Sequence, residues 1–197
     1  MRNHVQVAVI GGGVVGASVL YHLTKAGWKD VLLIERAELT SGSTWHAAGG
    51  MHTVNGDPNV AKLQQYTIEL YKEIEAISGV SCGVHITGGL MLAGTLERVD
   101  WLRMAVARGR YLGMDLQLIS AAEAKKLYPL LEEKHFLGAI YDPIEGHVDP
   151  YGVTHAYAKS AQLAGAEIVR QNRVIDTRPR ADGTWDVITE KGTVHAE

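Results

Sequence analysis

The sequence predicts an α/β fold built on a parallel β-sheet, and three features near its start carry that prediction. Residues 5–10 form a short apolar run rich in β-branched side chains, which is typical of a buried parallel strand. A glycine-rich turn with a helical segment, and then a second apolar run at 31–34, follow in that order. Because parallel neighbours are joined by a crossover connection, usually a helix, this order predicts a βαβ unit.

The glycine-rich turn predicts a dinucleotide site. Glycines at 11, 13 and 16 fill a G-x-G-x-x-G pattern, in which the first permits a tight turn and the second lets backbone approach a pyrophosphate. The third lets the following helix, predicted at 17–26, pack close to the strand. The N-terminus of that helix directs amide groups and the positive end of its dipole at the phosphates. The residues expected to hold the dinucleotide here are Gly11, Gly13, Val14, Val15 and Gly16.

An acidic residue, Glu35, stands at the carboxyl end of the second strand, 19 residues after Gly16. This spacing is close to the ~20 residues expected for the carboxylate that binds a ribose hydroxyl. The carboxylate disfavours NADP because it would repel the 2′-phosphate, although the adjacent Arg36 weakens that argument. The βαβ unit alone does not separate NAD from FAD, and Leu20 departs from the small residue often found there in FAD-binding forms.

A polar loop of small residues follows at 40–44 and leads to glycines at 49 and 50. Its hydroxyl side chains are suited to bond phosphate or ring atoms, and the glycines permit backbone to pass close to a flat ligand. A histidine at this place is positioned to reach the ring system of a dinucleotide cofactor. The loop residues expected to contact the cofactor are Ser43, Thr44, Trp45, His46 and Gly50.

The run Gly42-Ser43-Thr44-Trp45-His46-Ala47-Ala48-Gly49 closely resembles the dimethylglycine and sarcosine dehydrogenase family, within the D-amino-acid-oxidase-like flavoproteins. Stretches at 88–92 and 145–150 also fit its pattern, so the resemblance covers the whole chain. It implies a Rossmann-like FAD-binding fold with a small β-meander. It further implies that His46 is joined covalently to the 8α-methyl carbon of FAD and that the backbone of Val174 contacts adenine.

The resemblance also implies an activity, the oxidation of an N-methylated secondary or tertiary amine such as dimethylglycine or sarcosine. A hydride would pass to flavin N5, and the iminium would be hydrolysed or would pass its one-carbon unit to tetrahydrofolate. Folate would need a C-terminal region that these residues do not include. Electrons would go to oxygen or to an electron-transferring flavoprotein. No general base is assigned within 1–197, because the family's catalytic Tyr and His lie later in the sequence.

Other functions stay open. A non-catalytic regulatory protein on the same fold would hold FAD loosely or not at all, and retention of Trp45-His46 argues against it. An NAD-linked dehydrogenase would use the same glycine turn but gives that dipeptide no role. A truncated, inactive fragment is a further alternative.

Composition excludes several classes of partner. A formal net charge of −3 lacks the basic footprint of nucleic-acid binding, and no apolar run approaches the ~20 residues of a membrane helix. The histidine spacing suggests no zinc ligands, so no metal is expected. The single cysteine suits a reducing compartment, and the start of the chain lacks a leader. We therefore expect a bacterial cytoplasmic protein or, alternatively, a mature mitochondrial matrix protein.

We expect residues 1–197 to be the N-terminal part of one FAD-dependent oxidoreductase domain. In it, 1–50 form the dinucleotide unit and flavin-attachment motif, 85–145 begin a substrate domain, and 146–197 return to the FAD domain. Further helices are predicted at 59–77, 96–112, 120–128 and 149–165, and strands at 86–93, 139–141, 167–170, 185–189 and 193–195. The chain stops before a return to the parallel sheet, and the open sheet edge predicts marginal stability for the chain made alone.

Overall fold

The computed structural model describes all 197 residues, and the chain divides into two compact units. The first unit comprises Met1–Gly49, Leu70–Gly83 and Val148–Glu197, and the second comprises Gly50–Glu69 and Val84–His147. No helix combines the length and the apolar character that crossing a membrane requires.

Twelve strands and five α-helices make up the regular structure. The strands are β1 (His4–Val5), β2 (Val7–Ile10), β3 (Val31–Ile34), β4 (Gly50–Met51), β5 (Gly89–Ala93), β6 (Gln117–Ile119), β7 (Gly138–Asp142), β8 (Gly146–His147), β9 (Glu167–Val169), β10 (Val174–Pro179), β11 (Trp185–Thr189) and β12 (Gly192–Ala196). The helices are α1 (Val14–Lys25), α2 (Pro58–Ser78), α3 (Leu96–Tyr111), α4 (Ala121–Leu127) and α5 (Pro150–Leu163).

The first unit contains the predicted parallel sheet, with strand order β2-β3-β9. Every residue of the central strand β3 is buried, as expected for a parallel strand that is covered on both faces. β2 and β9 are the two edges, and Ile10 at the end of β2 is 53% exposed. The predicted α/β class is confirmed, and the carboxyl ends of these strands lead into the loops that form the site described below.

The apolar run at 5–10 forms two strands that belong to different sheets, whereas the sequence predicted one strand. The amides of Gln6 and Val7 both donate to the carbonyl oxygen of Asp30, at 2.9 and 3.3 Å, and the chain bends between β1 and β2. β1 pairs in parallel with β12 in a second sheet of order β1-β12-β11-β10. Val5 is therefore buried in a core cluster with Leu32 and Val194.

The second unit is built on an antiparallel sheet of order β5-β7-β6. Ile140 of β7 and Leu102 of α3 share one core cluster, while Ala139 and Ala124 of α4 share another. A two-stranded ribbon, β4 with β8, completes its pairing. The sequence missed β6, because three residues at a sheet edge, two of them exposed, leave no readable alternation.

Helix starts follow local chemistry closely. Ser120 and Glu123 form the predicted capping box, each side chain accepting the other's backbone amide. Asp149 is the predicted N-cap of α5, and its carboxylate accepts from the amides of Tyr151 and Gly152. α1 begins three residues earlier than predicted because the extended Gly13 is already its N-cap.

Candidate cofactor-binding site

The glycine-rich turn between β2 and α1 borders a cavity of about 460 Å³ in the first unit. The cavity is lined by the end of β2, the first turn of α1, the residues after β3 and the loop that follows them. Of the predicted contact residues, it brings together Gly11, Gly13, Val14, Val15, Gly16, Glu35, Arg36, Ser43 and Thr44.

The first and third positions of the motif require glycine for different structural reasons. Gly11 has a φ of +107°, a backbone conformation that residues other than glycine rarely adopt. Its amide donates to the carbonyl of Ile34 at 2.9 Å. An ideal Cβ on Gly16 would lie 1.9 Å from the carbonyl oxygen of Gly11. The helix therefore packs against the turn at a distance that excludes any side chain at position 16.

Glu35 stabilises the glycine-rich turn through hydrogen bonds to backbone amides. Its side chain is buried, with Oε2 accepting from the Gly12 amide at 2.6 Å and Oε1 accepting from the Ala37 amide at 2.8 Å. A Cβ on Gly12 would lie 2.9 Å from Cγ of Glu35 and 2.6 Å from Cδ2 of Leu39. Gly12, which the motif leaves unassigned, is thus required by packing. A carboxylate has about four lone pairs, so Glu35 retains capacity to accept from a ribose hydroxyl.

Thr44 acts on the first turn of α1. Gly13, the N-cap, has no side chain to satisfy the first amides, and Oγ1 of Thr44 accepts from the Val14 amide at 3.0 Å instead. Thr44 was expected to bond phosphate or ring atoms, and its hydroxyl keeps its own O–H donor for such a bond, so that expectation stays a prediction. The amides of Val15 and Gly16 remain first-turn donors without intrahelical partners, which is the arrangement that binds phosphate.

The loop at 40–46 is held by a strained residue. Thr40 is buried with a φ of +70°, which is a rare conformation for a β-branched side chain. Its amide donates to the carbonyl of Gly12 at 3.0 Å, and its carbonyl accepts from the Trp45 amide at 3.2 Å. Such strain costs ~1–3 kcal/mol and concentrates at functional sites. No sequence pattern pointed to Thr40, since only the backbone geometry reveals it.

Trp45 and His46 lie in a 3₁₀ turn, Ser43–His46, that continues the cavity-lining loop. Both side chains are exposed, Trp45 by 66%, and neither lines the cavity itself. Gly50 lies in β4 of the second unit. Val174 begins β10 and packs against the core cluster that contains Ile34. It is not among the residues that line the cavity, so its predicted adenine contact stays a prediction.

These residues fit a dinucleotide. The space where a Cβ of Gly11 would stand is open, the N-terminus of α1 faces the same cavity, and the buried carboxylate of Glu35 borders it. Together they present amide donors for a pyrophosphate and an acceptor for a ribose. The exposed Arg36 adds one positive charge to the rim.

Comparison with known proteins agrees with this geometry. The family model DAO, "FAD dependent oxidoreductase", matches residues 6–197. The chain is 40% identical over 99% of its length to mitochondrial dimethylglycine dehydrogenase of Rattus norvegicus, of which it covers 23%. It is 35% identical over 89% of its length to mitochondrial sarcosine dehydrogenase of Homo sapiens, covering 19%. The predicted resemblance is confirmed, and the match disfavours the NAD-linked alternative.

Two further proteins are similar to this chain, one by sequence and one by structure. The chain is 32% identical over 98% of its length to the mitochondrial pyruvate dehydrogenase phosphatase regulatory subunit of Mus musculus, covering 22% of that protein. Among solved structures, L-proline dehydrogenase from P. horikoshii superposes with a TM-score of 0.92 at 28% identity, over 100% of this chain and 52% of that one. The chain spans less than a quarter of these three curated relatives.

Proposed function

The chain belongs to the FAD-dependent oxidoreductase family, and from that premise we propose that it binds FAD on the glycine-rich turn for the oxidation of an N-methylated amine. The observation that carries the proposal is the pairing of a dinucleotide-type cavity with an exposed histidine two residues beyond its lining loop. The relatives named for dimethylglycine and sarcosine dehydrogenation support the amine class.

Backbone amides and two side chains of the cavity have roles in this proposal. The amides of Val15 and Gly16 bind the pyrophosphate, and Glu35 accepts from a ribose hydroxyl while it holds the Gly12 amide. Thr44 keeps the loop against α1 through its bond to the Val14 amide. Bound FAD would supply the hydride acceptor.

His46 would anchor the flavin ring covalently. The bond would join an imidazole nitrogen of His46 to the 8α carbon, with the loss of one proton from the imidazole and one from the methyl group. Dioxygen would be the two-electron acceptor and would leave as hydrogen peroxide. The exposed position of His46 on the 3₁₀ turn, with Thr40 and Thr44 holding the turn's backbone, supports this assignment.

The substrate would be a secondary or tertiary N-methylamine such as sarcosine or dimethylglycine. Its N-methyl carbon loses a hydride, water adds to the iminium, and formaldehyde leaves unless tetrahydrofolate takes the one-carbon unit. The electrons pass on to an electron-transferring flavoprotein or to oxygen. This full activity would draw on residues beyond this chain, because the chain spans less than a quarter of those relatives.

Anaerobic flavin reduction tests the substrate class. The chain, expressed with any coding sequence that follows residue 197, is loaded with FAD and mixed with dimethylglycine, sarcosine or glycine. We expect bleaching near 450 nm with the two methylated amines and at least about ten-fold slower bleaching with glycine, which lacks the N-methyl carbon. Equal rates with glycine, or bleaching by none of the three, would contradict the proposed chemistry.

A regulatory protein is the second candidate, favoured by the 32% identity to the phosphatase regulatory subunit. It predicts flavin that is lost on gel filtration and no bleaching with any amine. Tight flavin retention together with bleaching by dimethylglycine would exclude it.

A further inference from the structure

Trp45, the neighbour of His46, has one aromatic partner in the first unit. Its ring meets the ring of Tyr151 edge-on, with centroids 6.3 Å apart and an interplanar angle of 83°. Aromatic pairs at this separation and angle attract one another beyond their buried area. Trp45 is otherwise largely exposed, and Tyr151 is the aromatic side chain that lies against its ring.

Tyr151 is itself fixed from two directions. Its amide is bound by the Asp149 carboxylate at 3.0 Å, and Asp149 in turn donates its own amide to the carbonyl of Cys82 at 2.9 Å. One turn along α5, the ring of His155 packs on the Tyr151 ring with centroids 4.1 Å apart. Burial, and then the charge of Arg170, lower the pKa of His155, so this ring is neutral near pH 7.

The start of α5 also contacts the end of the loop that carries His46, at Gly49. The Val148 amide donates to the carbonyl of Gly49 at 2.9 Å, and a Cβ on Gly49 would lie 2.2 Å from the carbonyl oxygen of Val148. The loop is thus tied to the start of α5 by backbone contact after His46 and by a ring contact directly before it.

We propose that Tyr151 is a positioning residue for flavin attachment: its ring, braced by His155, holds Trp45 and thereby orients the 3₁₀ turn that presents His46. The inference rests on the proposed covalent bond at His46. Tyr151 touches no reacting atom in this account. Its hydroxyl makes no hydrogen bond in the chain, so only the ring is needed.

Two variants separate the ring from the hydroxyl. Tyr151→Ala removes the ring contact, and Tyr151→Phe keeps it. Leu163→Ala, an exposed change at the end of the same helix, is the matched control. Apo-protein, with any coding sequence that follows residue 197, is incubated with FAD, and covalent flavin is followed by fluorescence on denaturing gels.

We expect Tyr151→Ala to slow attachment by about five- to ten-fold, while the dissociation constant for unattached FAD changes less than about two-fold. Tyr151→Phe and Leu163→Ala should attach flavin at the wild-type rate. Attachment by Tyr151→Ala at the wild-type rate would overturn the positioning role and leave the covalent proposal intact. A wild type that never attaches flavin would instead overturn the covalent proposal and this inference with it.

A second readout needs no flavin. In the apo-protein the amides of Trp45 and Ala47 donate to Thr40 and Thr44 carbonyls, so their hydrogen exchange reports opening of the turn. Tyr151→Ala should speed their exchange by about five-fold, and Tyr151→Phe should not. Unchanged exchange in Tyr151→Ala would also contradict the proposal.

Discussion

Two equally buried glutamates, Glu35 in the first unit and Glu145 in the second, perform the same local task in different surroundings. Each is 8% exposed, and each binds a backbone amide through its carboxylate, that of Gly12 and that of Thr53 respectively. Glu35 meets a second backbone amide and borders the predicted cofactor cavity. In the proposed function Glu35 therefore both stabilises the glycine-rich turn and binds the cofactor's ribose.

Glu145 belongs to a denser polar cluster. Its Oε1 accepts from the Thr53 amide at 2.9 Å, and its Oε2 lies 3.2 Å from Nδ1 of His52. Asp142 accepts from the Thr53 hydroxyl and from the Ile144 amide. Glu145 accepts two bonds, as Glu35 does, so the number of bonds does not separate the two carboxylates. The difference lies in their surroundings, because Glu145 borders a cavity of about 440 Å³ in the second unit that has no glycine-rich turn, whereas Glu35 borders the cavity at the N-terminus of α1. Neither burial nor the number of accepted bonds is therefore enough to identify the carboxylate that binds a dinucleotide.

The largest effect should come from Glu35→Ala. The substitution leaves the amides of Gly12 and Ala37 without their acceptor, so we expect a loss of ~2–4 kcal/mol in the free energy of unfolding. It also removes the ribose acceptor, so we expect at least a ten-fold weaker affinity for FAD. Denaturant unfolding and FAD titration measure the two effects. The matched control is Glu38→Ala, whose exposed ion pair with Arg170 should cost less than about 1 kcal/mol. FAD affinity unchanged in Glu35→Ala would refute the ribose role.

Glu145→Ala should cost less. It leaves one fully buried amide donor, that of Thr53, without its acceptor, and it removes the partner of the exposed His52 side chain. We therefore expect a loss of ~1–3 kcal/mol in the free energy of unfolding. Its effect on FAD affinity should be smaller than that of Glu35→Ala, because Glu145 does not line the glycine-turn cavity. A loss of FAD affinity equal to that of Glu35→Ala would erase the distinction between the two carboxylates.

Asp142→Asn should give the smallest and most pH-dependent effect. Burial, opposed by the bonds from Thr53 and Ile144, raises the pKa of Asp142 above its ordinary value of 3.8. A raised pKa in the folded state means that stability is complete below pH 3.8 and is lost as the pH rises through the folded pKa. The variant lacks this titration, so its stability relative to wild type should rise with pH above 3.8.

The slope of that difference is limited to about 1.4 kcal/mol per pH unit for a single proton. Urea unfolding of both proteins between pH 3.5 and 7 measures it. A stability difference between variant and wild type that is constant with pH, or that moves in favour of wild type as the pH rises, would show that ionised Asp142 does not destabilise the folded protein.

The same two glutamates show how far the sequence predicts the site. Glu35 stands in a motif whose strand, glycines and helix are consecutive, so local spacing predicted its place at the cavity. Glu145 bonds Thr53, 92 positions away, and no local pattern encodes such a pairing. Thr40 and Tyr151 were missed for the same reason, since a positive φ and a ring contact arise from tertiary packing.

The fold followed the same rule. Helix starts with side-chain caps, at Ser120 and Asp149, were predicted to the residue because their chemistry is local. The bend at Gln6 was not, because it depends on the carbonyl of Asp30 from another part of the chain.

The proposed covalent bond at His46 is tested most directly by whether flavin stays with the polypeptide through acid precipitation and a denaturing gel. Wild type and His46→Ala are compared, each made as residues 1–197 and with any coding sequence that follows. We expect flavin fluorescence on the wild-type band of the longer form and none on His46→Ala. Flavin released from folded wild type, or fluorescence retained by His46→Ala, would contradict the covalent site at His46.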